Sequence, residues 1–276
     1  MTNSQRGSHV LIVLIIIVVV GIIAVLGWTF ISRIKESDQD VANTSQKGDI
    51  NQLVWQQGAD GWQAVGEAPD CPAQPMLKAP ADLTKATSVL YPGQTRGQYK
   101  PHGGLRFDTV TDNKVTVTSP FDGYIIKASR NFAEGTTEVQ YGFDIMNNCG
   151  VMVRFGHFSE LPDNLQAVVS KLPEPTVNST VENVKPAIYI KQGDVLATKV
   201  GLISEKNTFF DWGVYDYRQQ NEASKSEVYK AAHPQRELAW YGVCWLQGWL
   251  PSENEEMLSA LPAGGGENGK TSDYCR

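Results

Sequence analysis

Residues 99–108 read Tyr-Lys-Pro-His-Gly-Gly-Leu-Arg-Phe-Asp, which places a histidine before two glycines and a short apolar and charged segment. Because glycine tolerates positive φ, the pair predicts a tight turn that delivers His102 to the start of a strand. Two later stretches also set polar residues among apolar ones, at 154–158 (Arg-Phe-Gly-His-Phe) and 209–216 (Phe-Phe-Asp-Trp-Gly-Val-Tyr-Asp). A common site requires that these three stretches meet in the fold.

The residues after this stretch predict a β-rich domain. Residues 114–118 alternate apolar and polar side chains, a period of two that is typical of a half-buried strand. The predicted fold class is therefore mainly β, a twisted antiparallel sheet or sandwich, with short helices in the C-terminal part. Further strands are predicted at 124–126, 138–146, 151–157, 187–190, 195–199 and 209–217, and helices after residue 163 and at 226–232 and 254–261.

The N-terminal segment 10–31 is uncharged and apolar. As a helix it would rise about 33 Å, close to the roughly 30 Å thickness of the hydrocarbon layer. The apolar run continues through Trp28 and ends before Arg33 and Lys35, which favours an uncleaved transmembrane anchor. A cleaved signal peptide is the alternative, although it normally has a shorter apolar core.

The four cysteines lie outside the apolar segment and show no CxxC or Cys/His zinc spacing. They predict disulfides in an oxidising exterior, and hence a single-pass protein of the cell membrane whose C-terminal domain is extracytoplasmic. Four cysteines allow three pairings. We expect Cys244 to bond Cys275 and close the glycine-rich tail over an aromatic segment, which leaves Cys71 with Cys149.

The aromatic segment at 240–250 carries three tryptophans and a tyrosine. It is interpreted as a core-covering flap, with a carbohydrate-stacking surface as the alternative. Residues 53–55 and 62–65 predict a hairpin, and the prolines that follow it predict an extended chain. The predicted organisation is a cytoplasmic tail at 1–9, a transmembrane helix at 10–31, a polar linker at 32–50, a hairpin and proline-rich extension at 51–89, a β domain at 90–220, and a disulfide-closed aromatic extension at 221–276.

The charge balance excludes one class of partner. The chain has 24 basic and 30 acidic residues, a net charge of −6. It has no basic surplus to neutralise a phosphate backbone, so nucleic acid is not an expected partner. The phosphate-loop patterns GxxxxGK[ST] and GxGxxG do not occur in the sequence.

The order of four motifs resembles the LytM, or M23, metallopeptidase domain, a lysostaphin-like domain with the duplicated hybrid motif. The motifs are His102 with its glycines, the turn at 119–125, the stretch at 155–161 that contains His157, and the turn at 191–197. The resemblance covers about residues 90–220. In that family a His-x-x-x-Asp pair supplies two zinc ligands, a central stretch supplies a catalytic histidine, and a His-x-His strand supplies a catalytic histidine and the third ligand.

The match to this ligand set is incomplete. His102 corresponds to the first ligand and His157 to the central catalytic histidine. Arg106 stands where the acidic ligand belongs, and Asp211 and Gly213 replace the two histidines of the last strand. Zinc needs three protein ligands, and a guanidinium opposes the metal charge. We therefore expect a vestigial site of His102, Arg106, His157 and Asp211, in which Arg106 pairs with Asp211. The alternative is a rearranged metal site of His102, Asp108, His157 and Asp211.

The resemblance implies an envelope protein that is not catalytic, needs no cofactor, and binds peptidoglycan peptide or regulates a cell-wall hydrolase. Two alternatives remain open. One is an active zinc-dependent peptidoglycan endopeptidase with an altered ligand set. The other is a structural envelope protein without a ligand.

Overall fold

The structure, a computed structural model, describes residues 53–58, 61–66, 69–178, 181–234, 236–265 and 268–275. The predicted tail, transmembrane segment and linker at 1–50 lie outside these ranges. Within the described ranges, no helix has the length and apolar character needed to cross a membrane. The described chain from Leu53 onward forms one compact unit.

An antiparallel sheet of eight strands is the centre of this unit, which confirms the predicted mainly β class. The strands of the described chain are β1 (Trp55–Gly58), β2 (Gly61–Ala64), β3 (Ser88–Leu90), β4 (Gln94–Arg96), β5 (Gln98–Lys100), β6 (Gly103–Arg106), β7 (Val117–Thr118), β8 (Gly123–Phe132), β9 (Val139–Met146), β10 (Val151–Glu160), β11 (Val181–Ile190), β12 (Val195–Ala197), β13 (Lys199–Val200) and β14 (Phe209–Asp216).

The large sheet has the order β11-β8-β9-β10-β14-β6-β3, and β13 also pairs with β10. Three small sheets, β1-β2, β12-β7 and β4-β5, accompany it. The β1-β2 hairpin agrees with the prediction for residues 53–65. Because β6, β10 and β14 are neighbours in the large sheet, the three polar stretches singled out in the sequence do meet.

Short helices follow or interrupt the strands. They are α1 (Asp163–Val169), α2 (Glu227–Ala232), α3 (Arg236–Ala239) and α4 (Ser252–Ala260), with single 3-10 turns at Leu83–Lys85 and Ala223–Lys225. The helices predicted at 226–232 and 254–261 correspond to α2 and α4. The Ser226 hydroxyl caps α2 by accepting a hydrogen bond from the Tyr229 amide at 3.3 Å.

The main core lies on one face of the large sheet and is rich in stacked aromatic rings. Phe155 and Trp212 are buried there with ring centroids 6.5 Å apart. Trp245, from the aromatic C-terminal segment, is fully buried and lies 4.4 Å from Trp212, measured between ring centroids. Trp249 is also buried. These two tryptophans belong to the core, so they are not available to stack on a carbohydrate.

Both expected disulfides are present. Cys71 bonds Cys149, and Cys244 bonds Cys275. The prediction that the C-terminal tail closes back onto the aromatic segment is therefore confirmed.

The two glycines of the opening stretch do not form the predicted turn. Gly103 and Gly104 begin strand β6, and neither has a positive φ. A Cβ at Gly103 would lie 2.3 Å from the carbonyl oxygen of Leu90, and one at Gly104 would lie 2.5 Å from that of Phe210. Glycine is required here because the backbones of the neighbouring strands approach so closely.

Candidate functional site

A groove of about 480 Å³ opens on the sheet face opposite the main core. Along β10, the groove residues Arg154 and Gly156 alternate with the buried core residues Val153 and Phe155, as the pleat of a strand dictates. The groove is lined by side chains from β5, β8, β9, β10 and β14, and it contains His102, His157 and Asp211.

Asp211 lies between two histidines at one end of this groove. Its Oδ2 atom is 3.1 Å from Nε2 of His102 and 3.3 Å from Nε2 of His157. Burial opposes the ionised form of the carboxyl, but the two imidazoles outweigh burial and hold the pKa of Asp211 well below its usual range. The three side chains therefore form one charge-coupled cluster.

The strand register explains why these side chains meet. Asp211 on β14 is opposite Gly104 on β6 and opposite Gly156 on β10. Glycine on both sides leaves the carboxylate without a flanking side chain. His102 comes two residues before Gly104, and His157 comes directly after Gly156, so each histidine reaches Asp211 from a different neighbouring strand.

His157 has an unusual backbone. Its φ is 62°, a left-handed value that is uncommon for residues other than glycine. The pairing of β10 with β9 also shifts register between Phe155 and Phe158, which marks a β-bulge. The bulge turns the ring of His157 towards the groove and against Phe209, with 4.5 Å between the ring centroids. Strain of this kind is concentrated at functional positions in proteins.

Gln140 orients the ring of His157. Its side chain is buried, and Nε2 donates to the carbonyl oxygen of Gly201 at 3.1 Å. Oε1 of Gln140 consequently faces Nδ1 of His157 at 3.3 Å. Both ring nitrogens thus face oxygen atoms, one of the Gln140 amide and one of the Asp211 carboxylate, so these two side chains together fix the orientation of the ring. Gln140 was not predicted as a site residue.

Arg96 supports this cluster by binding the backbone of His102 through its guanidinium. It donates to the carbonyl oxygen of His102 at 3.0 Å and to that of Tyr91 at 2.6 Å. Burial lowers the pKa of Arg96, and the charge of Asp211 opposes that effect. Nothing in its local sequence distinguished Arg96 from an ordinary surface residue.

The predicted pairing of Arg106 with Asp211 is wrong. Arg106 donates to Asp108 at 2.8 Å and to the side chain of Asn207 at 3.0 Å. It is opposite Phe209 in the register, two residues along from the pair formed by Gly104 and Asp211, which is a separation of about 7 Å along a strand. Arg106 is not among the residues that line the groove.

Asp108, a member of the alternative metal set, also lies outside the cluster of His102, His157 and Asp211. It pairs with Arg106 and accepts a hydrogen bond from the Thr87 hydroxyl at 2.8 Å. Only His102, His157 and Asp211 of that set come together. In the part of the chain that the structure describes, no group of three or more His, Cys, Asp or Glu side chains has an arrangement that could hold a metal ion.

Gly213 has no room for a larger residue. A Cβ at this position would lie 2.5 Å from the hydroxyl oxygen of Tyr215. Tyr215 is fully buried, and burial raises the pKa of its phenol. A neutral tyrosine hydroxyl therefore fills the space next to Gly213.

A second part of the groove contains an ion pair between the partly buried Arg154 and the buried Asp144. Arg154 donates through Nε and Nη2 to the two carboxylate oxygens of Asp144 at 2.7 and 2.6 Å. Burial opposes the charge of Arg154, but Asp144 raises the pKa of the guanidinium. The two residues are directly opposite in the pairing of β9 with β10, and Lys127 on β8 is opposite Asp144 on its other side.

Three glycines lie in or beside the groove. Gly142, Gly156 and Gly213 lie on three adjacent strands, and Gly142 and Gly156 line the groove directly. A Cβ at Gly142 would lie 2.8 Å from the carbonyl oxygen of Phe155. At Gly142 and Gly213 the space that a Cβ would take is therefore filled by other atoms of the protein.

The groove is more positive than the chain as a whole. Its lining contains Lys100, Lys127 and Arg154 against Asp144 and Asp211, which is three cations minus two carboxylates, or +1 with neutral histidines. The whole chain carries −6. This excess of one positive charge in a concave site favours anionic over cationic ligand groups.

Comparisons with known proteins returned nothing that assigns this site. No protein-family model matches the chain, and no curated protein or solved structure matches it either. The function is therefore argued from the groove.

Proposed function

We propose that this chain is a non-catalytic, LytM-like module of the cell envelope whose groove binds peptidoglycan peptide or a segment of a cell-wall hydrolase. The observation that carries the proposal is the position of Asp211, whose single Oδ2 atom is shared by His102 and His157. The carboxylate that holds both histidines stands at the position that the resemblance assigns to a catalytic histidine.

The side chains at the expected zinc-ligand positions support a role without catalysis. A zinc hydrolase needs three protein ligands and an open position for the water that the metal activates. Of the three positions that the resemblance assigns to zinc ligands, only His102 carries a ligating side chain. Arg106 is turned to Asp108, and Gly213 has no side chain.

The shape and charge of the groove support an extended, carboxylate-bearing ligand. The groove has a volume of about 480 Å³, and Lys100, Lys127 and Arg154 in its lining carry N–H donors that suit carboxylates. Peptidoglycan stem peptides combine an extended backbone with free carboxylates. An acidic segment of a partner enzyme would present the same groups.

The predicted position of the protein is consistent with such a ligand. An anchor at 10–31 with a polar linker at 32–50 would hold the groove outside the membrane, within reach of the wall. The two disulfides suit an oxidising compartment.

The test is a titration of purified full-length protein with stem peptides and soluble muropeptides, paired with elemental analysis for zinc. We expect saturable binding, no stoichiometric zinc and no release of peptides from cross-linked peptidoglycan. Asp211→Asn and Arg154→Ala should weaken binding. Arg106→Ala is the matched control, because Arg106 does not line the groove.

Two outcomes would overturn the proposal. Near-stoichiometric zinc together with chelator-sensitive cleavage would restore the endopeptidase alternative. Absence of binding to wall fragments and to a panel of purified wall hydrolases would favour a structural envelope protein.

A further inference from the structure

One wall of the groove contains no strand of the large sheet. The consecutive residues 98–102 line the groove and come from β5 and the segment that leads into β6. Among the described strands, β4 and β5 pair only with each other. The position of this wall therefore depends on contacts other than the main hydrogen-bond ladder.

The C-terminal residues 268–275, here called the strap, provide those contacts. The buried side chain of Gln94 on β4 donates to the carbonyl oxygens of Gly269 at 2.8 Å and Thr271 at 2.7 Å. The backbone amide of Asp273 donates to the carbonyl oxygen of Gly93 at 3.0 Å. The strap thus holds the β4-β5 hairpin through several hydrogen bonds.

A chain of tyrosine hydroxyls connects the strap to the groove itself. Tyr99 lines the groove, and its hydroxyl oxygen lies 2.6 Å from that of Tyr229. Tyr229 in turn lies 3.2 Å from the hydroxyl oxygen of Tyr274 on the strap. Tyr229 and Tyr274 both donate to the carbonyl oxygen of Ala239, at 3.0 and 2.8 Å. His233 stacks on Tyr99, with ring centroids 3.7 Å apart.

The ring of Tyr274 packs against Gly93 and Gly242, where a larger residue would clash with it. A Cβ at Gly93 would lie 3.0 Å from its ring, and one at Gly242 would lie 2.5 Å from it. The neighbouring Cys275 is bonded to Cys244, which is buried in the main core. The disulfide therefore fixes the end of the strap one residue after the tyrosine that reaches towards the groove wall.

We infer that the Cys244–Cys275 disulfide is a redox-sensitive clamp that sets the position of the groove wall at residues 98–102. In the reduction, an external dithiol supplies two electrons and two protons. Cys244 and Cys275 become thiols, and the dithiol becomes its own disulfide. Without the covalent bond the strap is held by hydrogen bonds and packing alone, so it opens locally at a lower free energy. The ring of Tyr274 then leaves its position against Gly93 and Gly242, and the wall at residues 98–102 loses the contacts that hold it.

The consequence for ligand binding rests on the proposed function, but the movement of the wall does not. A loosened wall displaces Tyr99 and the segment that carries His102, so the groove should hold its ligand less tightly. The second disulfide serves as an internal control. Cys71 and Cys149 contribute neither to the groove lining nor to the strap.

The experiment is hydrogen–deuterium exchange with mass spectrometry on the full-length protein, read at residues 98–102. In Cys275→Ser, and in the wild type after reduction by a dithiol, we expect exchange about tenfold faster in this segment. Cys71→Ser should leave it unchanged. Tyr274→Phe keeps the disulfide but removes a hydroxyl of the connecting chain, and should give a smaller increase in the same segment.

Unchanged exchange at residues 98–102 in Cys275→Ser would overturn the clamp. An equal increase in Cys275→Ser and Cys71→Ser would also overturn it, because it would indicate general destabilisation. A muropeptide titration separates the two proposals. Faster exchange in Cys275→Ser, together with no muropeptide or hydrolase binding by the wild type, would uphold the clamp and reject the proposed ligand.

Discussion

Asp211 and His102 form a close pair across two neighbouring strands, with 3.1 Å between Oδ2 and Nε2. The same carboxylate oxygen also contacts His157, so one acidic side chain serves two histidines from different parts of the chain. This relationship replaces the expected pair of Arg106 and Asp211, and it decides how the groove should respond to substitution and to pH.

Asp211→Asn should lower the free energy of unfolding by about 1.5–3 kcal/mol, because the charged, mostly buried acceptor that faces two histidines becomes a neutral amide. Urea denaturation of the full-length protein measures the effect. Arg106→Ala serves as the comparison and should cost at most about 1 kcal/mol, because its partner Asp108 is half exposed. Equal losses in the two variants would contradict the assigned pairing.

The pH dependence of stability should show the depressed pKa of Asp211. The carboxyl has a lower pKa in the folded than in the unfolded state, so its contribution is fully present above the unfolded value of about 3.9 and is lost as the pH falls through the folded value. Denaturation at a series of pH values should therefore show the wild type losing its advantage over Asp211→Asn below about pH 4. A constant difference down to pH 2 would argue against this coupling.

Gln140→Leu should change the protonation pattern of the His157 ring, because it removes the acceptor that faces Nδ1. Long-range ¹H–¹⁵N correlation spectra of the imidazole nitrogens report which nitrogen carries a proton. We expect a protonated Nδ1 in the wild type and in Gln140→Glu, which keeps an acceptor oxygen. Identical spectra for the wild type and Gln140→Leu would show that Gln140 does not position the ring.

Gly213→Ala should destabilise the fold by about 1–3 kcal/mol through overpacking, since the new methyl group would meet the Tyr215 hydroxyl. The double variant Gly213→Ala with Tyr215→Phe should recover part of the loss. Gly156→Ala is the matched control, because a Cβ there would make only an ordinary contact, 3.5 Å from the Cβ of Asp211. Thermal or urea unfolding measures all four proteins, and a loss in Gly156→Ala as large as in Gly213→Ala would contradict the packing argument.

The sequence by itself determined the local character of the elements and the covalent links. Strands at 138–146, 151–157 and 209–217 and helices near residues 226 and 254 were predicted close to their observed bounds, whereas the alternating stretch 114–118 forms a strand only at Val117–Thr118. The pairing of Cys244 with Cys275 was predicted, among three possible pairings, as the one that closes the glycine-rich tail over the aromatic segment, and the structure confirms it. The stretches that contain His102, His157 and Asp211 also stood out, because polar side chains within apolar strands are unusual.

Only the tertiary structure decided which of these side chains touch. A period of two assigns residues to faces of a sheet, but it does not set the register between distant strands. That register places Gly104 and Gly156 beside Asp211 and moves Arg106 two residues away. The supporting groups, Arg96 and Gln140, act through backbone carbonyls and a ring nitrogen that are far apart in sequence. Such contacts depend on how the strands assemble, so no local pattern reveals them.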